Sequence, residues 1–205
     1  MQTSPSPVLD WRRPVWALVL VTASVLFSLA FACATPFAAL CAVAACTLPR
    51  RDAYGVAGLA WAANQVIGFT CLHYPWTANC LGWSAAIGLS VLLCTLTARW
   101  VRQRMIHMAP AAAWVLAFLA AFTALEAALA ASSLALGGIE DFTPSIVAQI
   151  FVMNAGAWMS FFALSWAGAF VGITPGALRR GETDIGQLPG AGATEVAREW
   201  SVAQG

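Results

Sequence analysis

Residues 64–80 read NQVIGFTCLHYPWTANC, and the reading of this stretch decides the fold. An apolar run carrying two side-chain amides, Asn64 and Gln65, enters an uncharged bend of His73, Tyr74, Pro75 and Trp76. It leaves directly into another apolar run. Two apolar runs joined in this way form a hairpin whose bend sits at one face of a bilayer, and the flanking chain reads as the scaffold that holds it there.

Composition agrees. Of 205 residues, 60% are hydrophobic and 9% charged, against about a quarter charged in a soluble globular domain. Spans of roughly 20 residues each leave room for five or six helices and little else. The expected class is all-α: one polytopic integral membrane domain with no soluble catalytic domain attached. The formal charge is +1 and the basic residues are scattered in pairs, which leaves no footprint for nucleic acid. All ten basic residues are Arg, a bias of GC-rich genomes that points to a bacterial inner-membrane protein.

Residues 1–10 form a short tail, and MQTSPSPVLDWRRP places a basic segment before an apolar run, as a signal peptide does. That run continues too long and further spans follow, so it is read as a retained first helix. The expected spans are 14–33, 36–48, 53–71, 80–98, 109–136 and 144–173. A Thr-Pro pair at 35–36 interrupts the first two, since proline removes a backbone donor and biases its predecessor away from helix. The second run, about 13 residues or roughly 20 Å, reads as a short span, a re-entrant piece or half of a kinked helix. The positive-inside rule places Arg12, Arg13, Arg50, Arg51, Arg99, Arg102, Arg104, Arg179 and Arg180 on the cytoplasmic side. That requires six crossings with both termini inside, whereas five crossings put an Arg pair outside. Residues 174–205 read as a loose cytoplasmic tail, with at most a short amphipathic turn near 195–200. No repeat of 20–50 residues is visible.

Polar groups at membrane depth are costly and face a partner or a cavity. Glu126 is the one carboxylate within an expected span. It lies about ten residues, roughly 15 Å, from the outer end of its helix. Asn154 is at a similar distance from the outer start of the last helix, with Gln149 shallower and Asn64 and Gln65 about 9–12 Å deep. All fall in the outer half, below the bend. They read either as an outward-facing pocket roofed by His73, Tyr74 and Trp76, or as interhelical glue. Glu126 is the strongest of the set, able to bind a cation, accept a ligand donor or carry a proton.

His73 lies near Cys71 and Cys80, with Cys33 expected at the same face. Cys and His suit a soft metal, although no CxxC spacing occurs. A disulfide between Cys71 and Cys80 is the alternative, and apolar packing of the cysteines a third. His107 falls on the opposite face. No HExxH, GxSxG or Walker A pattern is present, so no enzymatic activity and no cofactor are expected. The ten Trp mostly fall near span ends, as an interfacial belt does, while Trp83, Trp158 and Trp166 lie deeper. Small residues recur at Ala30, Ala34, Ala38 and Ala42, a spacing that lets helices approach closely.

Six spans in about 200 residues, inward termini, a site beneath the outer loops and the AxxxA pair Ala30 and Ala34 together resemble the substrate-binding S component of energy-coupling-factor vitamin and metal transporters. The resemblance covers residues 11–173 as architecture. It implies capture of a vitamin, a precursor or a transition-metal ion, with Ala30 and Ala34 meeting a transmembrane coupling protein and separate ATPase subunits supplying energy. The corresponding ligand site comprises Asn64, Gln65, His73, Tyr74, Trp76, Glu126, Gln149 and Asn154. Two other functions stay open: a structural subunit of a larger membrane complex, and a proton-coupled carrier or intramembrane enzyme using Glu126.

Overall fold

The computed structural model describes residues 11–30, 35–105 and 107–175. Among the described residues six α-helices follow one another: α1 (Arg12–Ala30), α2 (Phe37–Thr47), α3 (Arg50–Thr70), α4 (Ala78–Arg104), α5 (Pro110–Leu136) and α6 (Pro144–Phe170). No strand occurs among the described residues. A single 3-10 turn at Ile139–Asp141 links α5 to α6. Boundary residues explain the breaks. Pro36 and Pro49 precede α2 and α3, and α5 and α6 each carry proline in the first turn, where its missing N–H costs nothing. The Thr77 hydroxyl accepts from the Cys80 backbone N–H, and Thr143 does the same for Ile146. Gly137 ends α5 at φ 85°, a conformation open to glycine.

Helices α1, α4, α5 and α6 are each long and apolar enough to cross a membrane. The chain is thus a multi-pass membrane protein by length and composition. Helix α3 has 21 residues, but Asn64, Gln65 and the charged start Arg50, Arg51 and Asp52 dilute its apolar character.

The second apolar run is the centre of the bundle. Helix α2 has 11 residues, a length of about 16 Å against a hydrocarbon core of about 30 Å. It is separate from α1 rather than its kinked continuation, and as a helix it covers about half of that thickness. It touches all five other helices, which surround it in the cyclic order α1, α3, α4, α5, α6. Phe37, Ala38, Ala39, Leu40, Cys41, Ala42, Val43, Ala44, Ala45 and Cys46 are all buried, the expected fate of a helix apolar on every side. Lipid tails are as apolar as the core, so burial alone does not drive helices together in a bilayer; close packing and interhelical hydrogen bonds do. The alanines of α2 supply the close approach.

Side-chain bonds set the direction of each helix. The Trp16 indole N–H near the start of α1 donates to Thr47 Oγ1 at the end of α2, at 3.0 Å. Arg99 of α4 donates to the Leu48 carbonyl at 3.2 Å, and Arg102 to that of Ala45 at 3.4 Å. A Cβ on Gly168, late in α6, would meet Trp16 at 3.1 Å. At the opposite end Gly82, early in α4, faces the Leu136 side chain at the end of α5. Helices therefore alternate in direction, and the described arginines gather at the Trp16 end. Of the small-residue series, Ala38 and Ala42 line the core, Ala30 is exposed and Ala34 lies outside the described residues.

Candidate functional site

The amide oxygens of α3 are bonded within the bundle. Asn64 Oδ1 accepts from Thr35 Oγ1 at 2.6 Å and from Ser28 Oγ at 3.2 Å, and those two hydroxyls lie 2.9 Å apart. This cluster joins α1, the entry to α2 and α3. Gln65 Oε1 instead accepts from the Ser84 hydroxyl of α4, and the Trp61 indole donates to the Ser84 carbonyl at 3.0 Å. Adjacent helical residues point about 100° apart, so the two amides join different neighbours.

The bend folds back on its own helix. The Tyr74 N–H donates to the Gly68 carbonyl at 3.1 Å. A Cβ on Gly68 would lie 2.6 Å from the Tyr74 ring, so glycine permits this approach. Trp76 stacks on Phe69 at 4.5 Å between centroids, and remains 75% exposed. His73 is exposed and adopts φ 57°. Cys71 and Cys80 are free thiols. Among the described residues no three of His, Cys, Asp and Glu converge; Cys33 lies outside them.

The seam between α5 and α6 differs. It is lined by rings: Phe122 meets Phe151 edge-on at 5.1 Å, Phe118 stacks on Trp158 at 5.3 Å, and Trp114 meets Phe162 at 5.2 Å. Glu126 follows Phe118 and Phe122 on the same helical stripe. It is half-buried, and its Oε2 is buried with no hydrogen-bond partner. Asn154 on α6 is 4% exposed. Its Nδ2 donates to the Ile150 carbonyl at 3.1 Å, while its Oδ1 has no partner. One turn further along α6, the buried Trp158 Nε1 also lacks one. The ring pairs set the register and bring Glu126 level with about Val147 to Gln149. Glu126 thus sits roughly 7 Å nearer the outer end than Asn154, rather than level with it. Gln149 is exposed.

Glu126 and Asn154 thus lie on the two helices of the seam at different levels, and Trp158, marked in the sequence only by its depth, is level with Phe118, two turns from Glu126. Trp158 and Asn154, four residues apart, share one face of α6. Asn64 and Gln65 instead bond Ser28, Thr35 and Ser84, while Tyr74 and Trp76 pack against Phe69 of α3. Buried polar atoms normally have partners, and along this seam Glu126 Oε2, Asn154 Oδ1 and Trp158 Nε1 have none. Comparison with known proteins adds no relative: no family model, curated protein or solved structure matches the chain.

Proposed function

We propose that the chain is the membrane-embedded substrate-binding component of a small-molecule uptake system, with its site in the α5–α6 seam. The observation that carries this reading is the set of three buried, unpartnered polar atoms, Glu126 Oε2, Asn154 Oδ1 and Trp158 Nε1. Leaving a carboxylate unpaired at this depth is costly, and a ligand that brings its own donors offsets that cost. The aromatic floor suits a flat organic molecule carrying N–H or hydroxyl groups, such as a vitamin or its precursor. It suits a transition-metal ion less well, because the seam offers neither thiolate nor imidazole.

In this reading the chain crosses a bacterial inner membrane six times. Helix α2 belongs to the second crossing, and both termini and the arginine end are cytoplasmic. The exposed Ala30, with Ala34, meets the coupling protein, which brings ATPase subunits. Ligand binding to the native state raises stability by RT ln(1 + [L]/Kd), about 2.7 kcal/mol at 100 times Kd. Thermal unfolding of the detergent-purified protein against a panel of vitamins, precursors and divalent metals tests the proposal. One organic compound should give a concentration-dependent shift that Glu126→Gln abolishes. A flat panel would favour the second reading, a structural subunit of a larger membrane complex. The bonds tying Asn64 to Ser28 and Thr35, and Gln65 to Ser84, support that alternative as polar glue.

A further inference from the structure

The buried end of α2 collects positive charge. Its last carbonyls would be orphaned inside the bundle, and α4 supplies the donors: Arg102 to Ala45 and Arg99 to Leu48. These two arginines are three residues apart on α4, so they lie on one face. Each guanidinium carries five N–H groups, more than its single carbonyl bond uses. Arg50 opens α3 two residues beyond Leu48, and its charge acts on Arg99, as does that of Arg102. The N-terminus of the 21-residue helix α3 adds its own partial positive charge at this place. Against Arg50, Arg51, Arg99, Arg102 and Arg104, helices α2, α3 and α4 contain one carboxylate, Asp52.

The surroundings fix the chemistry of an anion that would suit this cluster. Arg50 lies 6.0 Å from the centroid of the Tyr54 ring and Arg104 lies 5.1 Å from that of Trp100. Aromatic and basic residues together mark the headgroup level of a bilayer. From this cluster an apolar stripe runs along α4 toward mid-membrane, with Trp100, Leu96, Leu92 and Leu89 all exposed. Their spacing of three or four residues keeps them on one side of the helix, and Leu92 lies seven residues, two turns, before Arg99. A cationic cradle continued by an exposed apolar stripe matches an anionic headgroup continued by an acyl chain. Arginine is the side chain best shaped to grip a phosphate through paired N–H donors.

We infer that the arginine end of α2, α3 and α4 binds one anionic phospholipid, its phosphate held among Arg50, Arg99 and Arg102 and an acyl chain lying along Leu96, Leu92 and Leu89. This site is independent of the α5–α6 seam and stands whether or not the seam binds a ligand.

The test uses the full chain in mild detergent after delipidation. Thermal unfolding is followed with added phosphatidylglycerol, with phosphatidylcholine of the same chains, and with inorganic phosphate alone. Native mass spectrometry counts the lipid retained. Phosphatidylglycerol should give a saturable upward shift with one lipid retained, while the other two leave the transition where it was. Arg102→Gln removes a donor that holds α2, so loss of fold would obscure its effect. Arg50→Gln bonds no carbonyl of α2 and provides the decisive variant. It should unfold at the wild-type temperature without lipid and bind phosphatidylglycerol about tenfold more weakly, the scale of one charge-assisted hydrogen bond. Equal shifts with both lipids, a matching shift with phosphate alone, no shift with phosphatidylglycerol, or full affinity in Arg50→Gln would each overturn the inference.

Discussion

Replacing Asn64 by alanine removes the acceptor shared by three segments. Its Oδ1 takes hydrogen bonds from Thr35 at 2.6 Å and Ser28 at 3.2 Å. Interhelical side-chain bonds in membrane bundles average about 0.6 kcal/mol, with a maximum near 1.7. Two of them give about 1.2 kcal/mol. With the amide gone, one of the Ser28 and Thr35 hydroxyls, 2.9 Å apart, can turn to donate to the other, which limits the penalty from stranded hydroxyls, so the expected loss is about 1 kcal/mol. Equilibrium unfolding in mixed micelles measures it. A double-mutant cycle with Thr35→Val cancels the packing change and should return a coupling of about 0.6 kcal/mol. A coupling of zero, or a loss below about 0.3 kcal/mol, would refute the assignment of Asn64 as a tie between α1, the start of α2 and α3. It would return that amide to the candidate ligand site.

Three further outcomes follow from the packing. Ala42→Leu places a large side chain at a fully buried position of the central helix and should cost about 1–3 kcal/mol or more, because the ring of helices cannot widen at one level alone; the same unfolding assay reads it. Gly68→Ala would put a Cβ 2.6 Å from the Tyr74 ring, displacing the bend, and hydrogen exchange should rise across residues 71–77 while α4 and α5 stay protected. A membrane-impermeant maleimide should modify the exposed Cys71 in intact vesicles and spare the buried Cys41 and Cys94 until the protein unfolds, with peptide mapping as the readout.

The membrane class and the order of helices were legible in the sequence because they rest on length, apolarity and charge placement. Thr-Pro at 35–36 and the bend at 71–77 fall between helices as expected. The status of the second run was only partly legible. Its even apolarity around the helix signals burial, yet a lipid-facing helix can look the same, and only its five neighbours decide between them. The candidate site was split for a similar reason. Asn64 and Gln65 share a depth with Glu126 in one dimension. Their bonding depends on hydroxyls at Ser28, Thr35 and Ser84, which are weak sequence signals. Trp158 stood out in the sequence only by its depth, because an indole N–H lacks a partner only in three dimensions. The apparent level of Glu126 with Asn154 failed because it assumed that α5 and α6 start flush, whereas the pairing of Phe118, Phe122, Phe151 and Trp158 sets their register.

The most direct test is the dissociation constant of a ligand found in the thermal panel, measured by calorimetry on purified wild-type protein and on Glu126→Gln, Asn154→Ala, Trp158→Phe and Asn64→Ala. Each lost hydrogen bond in the seam should cost about 1–2 kcal/mol, a rise of roughly tenfold in Kd for each of the first three, while Asn64→Ala binds as wild type does. Unchanged binding in the three seam variants, or weakening confined to Asn64→Ala, would contradict a site between α5 and α6.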